Sequence, residues 1–185
     1  MSSDYFEYLR TRNLTGLLYR KYWLYPRLRR ELQGRVLDVG CGIGDFLDSY
    51  PGAVGVDINA RAVDWCRRKG LDARQMEVDH LPFDDASFQG VVLDNVLEHV
   101  KDPTELLKEI RRVLVPGGRL VVGVPGPRGY AADPDHKVFY DEPGLDTVLA
   151  TAHFGKRGSF HMPFECEPLG RRLAQYCIYG VFEKV

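Results

Sequence analysis

The sequence has few cysteines, almost no net charge and no long apolar run. Its four cysteines form neither a C-x-x-C pair nor a dense disulfide pattern, so reduced, mostly buried thiols are expected: Cys41, Cys66, Cys166 and Cys177. The formal net charge of −1 gives no general attraction to nucleic acid or acidic membranes. No apolar run reaches the roughly 18 residues that span a bilayer, and no early segment resembles a signal peptide. We therefore expect a cytoplasmic protein with no transmembrane segment and no nucleic-acid partner.

Two common phosphate-binding motifs are also missing. The dinucleotide fingerprint G-x-G-x-x-G needs a third small residue, but the count reaches Asp45 from Gly40 and Leu47 from Gly42. The triphosphate loop G-x-x-x-x-G-K-[ST] does not occur. A nicotinamide-dependent oxidoreductase is therefore disfavoured, and a nucleotide triphosphatase is unsupported.

The most informative segment is an apolar stretch followed by a glycine-rich turn. Residues 36–39 are apolar enough for a buried strand, and Gly40, Gly42 and Gly44 then remove Cβ atoms where a ligand approaches the backbone. A helix beginning near Asp45 points its amide groups at the same place. The segment predicts a ligand site built from the backbone of the turn.

The chain alternates between predicted strands and helices. The strands are expected at 36–39, 53–57, 72–78, 89–94 and 119–124, and the clearest helices at 59–69 and 103–114. This alternation in 185 residues predicts a single α/β domain, 1–185, with a doubly wound, mostly parallel sheet and helices on both faces. Ligands lie beyond the carboxyl ends of such strands. Polar residues follow four of these ends: Asp38, Asp57, Asp79 and Asp94–Asn95.

Several motifs occur together in a recognisable order. Residues 36–47 resemble motif I of the class I S-adenosylmethionine-dependent methyltransferases. Further matches lie at 55–58, 78–83, 96–100 and 112–118, so the resemblance extends from about residue 34 to 162. It implies a seven-stranded sheet whose final strand is antiparallel, with strands at 156–162 and 176–185 closing one edge.

The resemblance implies S-adenosylmethionine as cofactor and S-adenosylhomocysteine as product. Asp57 is expected to accept hydrogen bonds from the ribose hydroxyls, Ile58 to pack on the adenine ring, and the backbone of the turn to face the methionine part. The cofactor-binding residues implied are Asp38, Gly40, Cys41, Gly42, Gly44, Asp57, Ile58, Asp79, His80 and Asn95. Two alternatives stay open, because Asp38 can orient the turn without touching the ligand and His80 can contribute only its backbone.

The resemblance is strongest to the small-molecule branch of the family. Residues 94–97 lack the prolines that nucleic-acid amino-methylases carry there, and the paired glutamates of arginine methyltransferases are missing. A small-molecule or saccharide-like acceptor methylated at a hydroxyl is therefore expected, with nitrogen or carboxyl acceptors next. His136 is the first candidate for the base or acceptor anchor, and Glu98 with His99 is the second. A purely structural role is the alternative for all three, and no metal site is predicted.

Residues 4–33 form an aromatic and basic segment. Seven basic residues stand against three acidic ones, among regularly spaced leucines and aromatics. One or two amphipathic helices broken near Pro26 fit this pattern, as a packing segment or as a lid over the cofactor. Peripheral membrane contact through 4–33 is a further expectation. A cofactor-binding module that is catalytically silent, or that activates a partner, remains the alternative to an enzyme.

Overall fold

A single seven-stranded sheet forms the centre of the molecule. The computed structural model describes residues 6–7, 9, 11, 14–165 and 172–185. The strands are β1 (Val36–Val39), β2 (Val54–Asp57), β3 (Ala73–Gln75), β4 (Phe88–Asp94), β5 (Leu114–Pro125), β6 (Phe154–Met162) and β7 (Cys177–Lys184). Their order across the sheet is β3-β2-β1-β4-β5-β7-β6, and β7 runs antiparallel to both of its neighbours. The predicted α/β class and the antiparallel final strand are confirmed.

Helices cover both faces of this sheet. They are α1 (Leu14–Tyr19), α2 (Tyr25–Glu31), α3 (Asp45–Ser49), α4 (Ala60–Arg68), α5 (Thr104–Val113), α6 (Pro127–Ala132) and α7 (Glu142–Thr151). The side chain of Asn59 accepts a hydrogen bond from the Arg61 amide and so caps α4, as its position before the helix predicts. Buried side chains form two clusters, which include Leu37 and Ile110 in one and Val36 and Val63 in the other.

The predicted break near Pro26 is wrong. A π-helical segment, Arg20–Leu24, joins α1 to α2, and the connecting residues Tyr19, Leu24 and Tyr25 all have right-handed helical dihedral angles. The Tyr25 amide donates to the Arg20 carbonyl five residues earlier, so the hydrogen-bonding pattern changes directly before Pro26, which has no amide hydrogen to donate. The chain therefore stays helical through the proline.

The helix α2 and its surroundings are part of the core. Leu24, Tyr25 and Leu28 are buried in the cluster that also contains Val36. The preceding α1 and π-helical segment carry large exposed side chains: Leu14, Leu18, Tyr22 and Trp23. Within the described residues, no helix is both long and apolar enough to cross a bilayer. Membrane contact through this exposed face stays a prediction.

The register of the central strands brings their carboxyl ends together. Asp38 pairs with Gly55 of β2 on one side and with Val92 of β4 on the other. Two predicted boundaries need correction. Strand β3 ends at Gln75 and not at residue 78. Strand β5 begins at Leu114 and not at residue 119, because a bulge opposite Phe88 and Gly90 lets the strand include the Pro116-Gly117-Gly118 turn. Neither change moves the strand ends that face the glycine turn.

Candidate active site

The three glycines of the turn have backbone conformations that other residues rarely adopt. Gly40, Gly42 and Gly44 have φ angles of 77°, 53° and 83°. A Cβ at Gly40 would lie 2.5 Å from Cγ2 of Val96, and one at Gly42 would lie 2.9 Å from Cδ1 of Leu9. The glycines are therefore required both by the turn and by what packs on it.

Asp57 holds the turn in place from the end of β2. Its Oδ2 accepts a hydrogen bond from the Gly42 amide at 2.9 Å, and its Oδ1 accepts one from the Asn59 amide at 2.8 Å. The carbonyl of Val56 accepts the Gly40 and Cys41 amides at 2.8 and 3.0 Å. Asp57 therefore orients the turn. Each carboxylate oxygen has a second lone pair, so Asp57 retains capacity for ligand hydroxyls.

A small cavity of about 60 Å³ lies against the turn. Five predicted cofactor-binding residues line it: Asp38, Gly40, Cys41, Gly42 and Asn95. Sequence reasoning missed other lining residues, which include Leu9, Arg20, Tyr25 and Phe46. The positions of Leu9, Arg20 and Tyr25 depend on how the segment before β1 packs on the sheet, and no local pattern predicts that.

Carboxylates dominate the electrostatics of this cavity. Burial, followed by the nearby charges of Asp94 and Asp57, raises the pKa of Asp38 well above its usual value. Asp94 in turn accepts a hydrogen bond from the Tyr179 hydroxyl at 2.7 Å and lies 3.4 Å from the Arg20 guanidinium. A positive charge placed beside Asp38 would favour its ionised form, so the cavity suits a cationic group better than an anionic one.

Five of the ten predicted cofactor residues do not line this cavity: Gly44 and Asp57, which form and hold the turn, and three others, Ile58, Asp79 and His80. His80 is 3.4 Å from Glu109 and lines a separate, open depression, while Asp79 is half-buried with a φ of 62°. Ile58 keeps 38% of its surface exposed, although the β2 residues before it are buried. An exposed isoleucine beside Asp57 fits the predicted packing on an adenine ring, but all three roles stay predictions.

The three predicted catalytic residues lie together beyond β4. Glu98 and His99 belong to a 3₁₀ turn, Leu97–His99. The loop after α6 brings the ring of His136 to 4.7 Å from that of His99, measured between the ring centroids. The loop is held there because the Lys137 amide donates to the Glu98 carbonyl at 2.7 Å. Asn95, which lines the cavity, precedes this turn by two residues. We call Glu98, His99 and His136 the acceptor-side cluster.

Glu98 is the unusual member of this cluster. Its side chain is buried, and within the described residues neither carboxylate oxygen has a hydrogen-bond partner. Burial raises the pKa of Glu98 to about 8. Its Oε1 lies 3.8 Å from Nε2 of His136, whose Nδ1 donates a 2.8 Å hydrogen bond to the Tyr130 carbonyl. Sequence reasoning named the pair but gave no sign that the carboxylate is buried.

Comparison with known proteins identifies the family. Residues 37–122 match a family model described as a methyltransferase domain. The chain is 32% identical over 155 residues to a probable S-adenosylmethionine-dependent methyltransferase of Mycolicibacterium smegmatis, covering 77% of this chain and 56% of that one. Residues 37–122 are therefore a methyltransferase domain of the S-adenosylmethionine-dependent kind. S-adenosylmethionine is accordingly its cofactor.

Two further comparisons bear on this methyltransferase. The probable tRNA methyltransferase 9B of Homo sapiens is 34% identical over 110 residues, which are 54% of this chain and 24% of the human protein. The crystal structure of an S-adenosylmethionine-dependent methyltransferase from Thermotoga maritima shares the fold, with a TM-score of 0.76, 22% identity and coverage of 97% and 95% of the two chains. The chain spans between 24% and 48% of the length of several curated relatives that it matches.

The residues of the turn fit this cofactor, but the cavity beside them is small. The three glycines of the turn allow a ligand to approach the backbone closely. The Asp38 carboxyl group in the cavity suits a ligand that carries a positive charge. The cavity of about 60 Å³ is smaller than the roughly 300 to 1,000 Å³ of small-molecule sites. The cavity therefore has to widen for the cofactor to bind, and Leu9 is one of the side chains that narrow it beside Gly42.

Replacing Asp57 with alanine is expected to weaken S-adenosylmethionine binding by about tenfold or more. The change removes a carboxylate that accepts the Gly42 and Asn59 amides, each worth about 1.5 to 3 kcal/mol. The free energy of unfolding is expected to fall as well. Calorimetry measures the affinity, with exposed Asp64→Ala on α4 as the control. Equal affinity in the Asp57 variant and the control would remove Asp57 from the site.

Replacing Asp38 with asparagine is expected to flatten the pH dependence of stability. With a pKa raised by folding, Asp38 loses its proton at lower pH in the unfolded chain than in the folded one. The free energy of unfolding of the wild type therefore falls as the pH rises from about 4 towards the raised pKa. Denaturant unfolding at several pH values measures the slope, and an identical slope in the variant would contradict the assignment.

Proposed function

We propose that this methyltransferase transfers a methyl group from S-adenosylmethionine to a hydroxyl of a small-molecule or saccharide-like acceptor. The observation that supports the proposal is the acceptor-side cluster, a buried carboxyl group beside two imidazoles, of which Glu98 and His99 follow the cavity-lining Asn95 by three and four positions. Methylation of a hydroxyl requires removal of its proton, and a histidine titrates near neutrality. A cluster of this kind suits an acceptor that loses a proton.

In this proposal His136 removes the acceptor proton and Glu98 assists it. S-adenosylmethionine supplies a methyl group on a positively charged sulfur. The hydrogen bond from Nδ1 of His136 to the Tyr130 carbonyl leaves the lone pair on Nε2, because a carbonyl can only accept. Nε2 then takes the acceptor proton, and the Glu98 carboxyl at 3.8 Å stabilises the resulting imidazolium when ionised.

The charge around the cluster supports a small acceptor rather than a polyanion. Asp133 and Asp135 lie on the same loop as His136, and Oδ2 of Asp133 is 3.9 Å from its Nε2. Acidic groups at the entrance repel phosphate backbones, which nucleic-acid-binding surfaces instead neutralise with lysine and arginine. The name of the human relative keeps tRNA as an outcome to be tested.

An acceptor panel tests the proposal. The purified protein is incubated with S-adenosylmethionine and, separately, phenols, sugars, small amines and tRNA, and mass spectrometry measures S-adenosylhomocysteine and methylated product. The proposal predicts stoichiometric methyl ether formation from a hydroxyl acceptor. Methylation of amines or tRNA alone would overturn the acceptor class. Cofactor binding without turnover on any acceptor would favour the silent or partner-activating module.

A further inference from the structure

We propose that Glu98, His99 and His136 bind a divalent first-row transition metal ion. The sequence predicts no metal site, since the three residues follow no ligand spacing and come together only when the loop after β5 folds against the 3₁₀ turn. The inference goes beyond the proposed methyl transfer, because it concerns binding of a cation and needs no acceptor to be tested.

The donor atoms are close enough for a shared ion. One ligand atom from each of the three residues lies within 4.8 Å of the other two, and Oε1 of Glu98 is 3.8 Å from Nε2 of His136. Ligands at about 2.0 to 2.2 Å from a tetrahedral metal lie roughly 3.4 Å apart. The separation of 3.8 Å has to close by about 0.4 Å and one of 4.8 Å by about 1.4 Å, which side-chain rotations can supply.

The buried carboxyl group of Glu98 supports a metal site independently of these distances. Glu98 is only 1% exposed, and in the described part of the chain neither of its oxygens accepts or donates a hydrogen bond. Burying a carboxyl group without a partner is costly, and native structures usually provide a hydrogen bond, a charge or a metal. A cation bound between Glu98 and the imidazoles supplies the missing partner.

Both imidazoles have the outer contacts that metal-ligating histidines usually have. Nδ1 of His136 is 2.8 Å from the Tyr130 carbonyl, and Nδ1 of His99 is 3.4 Å from the Asp135 carbonyl. Carbonyl oxygens accept hydrogen bonds, so each Nδ1 carries the proton and each Nε2 carries a lone pair. Backbone carbonyls commonly orient metal-binding imidazoles in this way.

The donor set selects the class of ion. Two imidazoles and one carboxylate suit Zn²⁺, Fe²⁺, Co²⁺ or Ni²⁺, whereas Mg²⁺ and Ca²⁺ prefer oxygen ligands alone. Asp133, whose Oδ2 lies 3.9 Å from Nε2 of His136, is 36% exposed and marks the solvent side of the cluster. Coordination positions on that side remain open for water or an acceptor hydroxyl.

Metal binding changes how an acceptor proton is lost. Nε2 of His136 has one lone pair, so it holds either a proton or the metal at any moment. With the ion bound, an acceptor hydroxyl that ligates it has a lowered pKa and releases its proton to solvent. The cluster can therefore promote loss of the acceptor proton in two ways, through Nε2 of His136 when no ion is bound or through the ion when it is.

Cobalt substitution tests the site directly. The chelator-treated, full-length protein is titrated with Co²⁺ while its visible ligand-field absorption is recorded, and Zn²⁺ binding is measured by calorimetry. One equivalent of each ion is expected to bind. Glu98→Gln and His136→Gln are expected to weaken binding by about tenfold or more. His161→Gln is the matched control, because His161 also lies 3.4 Å from a glutamate, Glu142, but outside the three-residue cluster.

Two results would overturn the metal site. One is the absence of cobalt absorption at millimolar Co²⁺, and the other is absorption that Glu98→Gln and His136→Gln leave unchanged. S-adenosylmethionine binding by the two variants verifies that each remains folded. Methyl transfer by the chelator-treated protein is measured separately, so failure of the metal site and failure of the proposed function are distinguished.

Discussion

Replacing His136 with alanine is expected to lower turnover by about 10² to 10⁴-fold while leaving S-adenosylmethionine affinity almost unchanged. The imidazole belongs to the acceptor-side cluster and is absent from the cavity at the glycine turn. Its removal takes away the group that accepts the proton or binds the ion, but it leaves the hydrogen bonds of Asp57 to the turn intact. Steady-state kinetics and calorimetry measure the two effects separately.

The control for this prediction is His153→Asn. His153 is exposed, lies after α7 and has a φ of 61°, which asparagine tolerates well. Turnover of this variant is expected to stay within about twofold of the wild type, in line with an exposed substitution that removes no contact of the site. A fall of less than a few fold in the His136→Ala variant would reduce His136 to a packing residue.

Replacing Gly40 with alanine is expected to lower S-adenosylmethionine affinity by at least about 100-fold, or nearly 3 kcal/mol. Its φ of 77° disfavours any side chain by about 1 to 2 kcal/mol, and the new Cβ would lie 2.5 Å from Cγ2 of Val96. Either the turn or the segment leading to the acceptor-side cluster must shift to relieve that contact. Both shifts displace backbone that lines the cavity.

Gly70→Ala separates backbone strain from this contact. Gly70 has a φ of 79°, almost equal to that of Gly40, but a Cβ there would meet nothing within 4 Å. Both variants are expected to lose about 1 to 2 kcal/mol of unfolding free energy from the φ angle. Only Gly40→Ala is expected to lose cofactor affinity. Equal affinities in the two variants would show that the turn does not contact the cofactor.

Local patterns in the sequence were sufficient for the fold and for the prediction that several of the named polar residues and glycines lie together. The strand at 36–39, its glycine turn and the cap at Asn59 are set by short-range sterics and hydrogen bonding, which neighbouring residues determine. Five of the ten predicted cofactor residues line the cavity, because parallel strands bring their carboxyl ends to one edge.

The remaining features depend on contacts between distant parts of the chain. Arg20 reaches Asp94 across 74 positions, and Leu9 covers Gly42 only after the N-terminal segment folds back. The continuous helix through Pro26 depends on a change in hydrogen-bonding pattern before the proline. The burial of Glu98 follows from the docking of a later loop. Such contacts between distant residues cannot be predicted from residue types and spacing alone.

Thermal unfolding with S-adenosylmethionine, S-adenosylhomocysteine and NAD in parallel tests the central claim most directly. A ligand at one hundred times its dissociation constant adds about 2.7 kcal/mol to the free energy of unfolding. The two adenosyl-sulfur ligands are expected to raise the unfolding temperature, and NAD is expected to leave it unchanged. Stabilisation by NAD alone, or by none of the three, would contradict a cofactor site at the glycine turn.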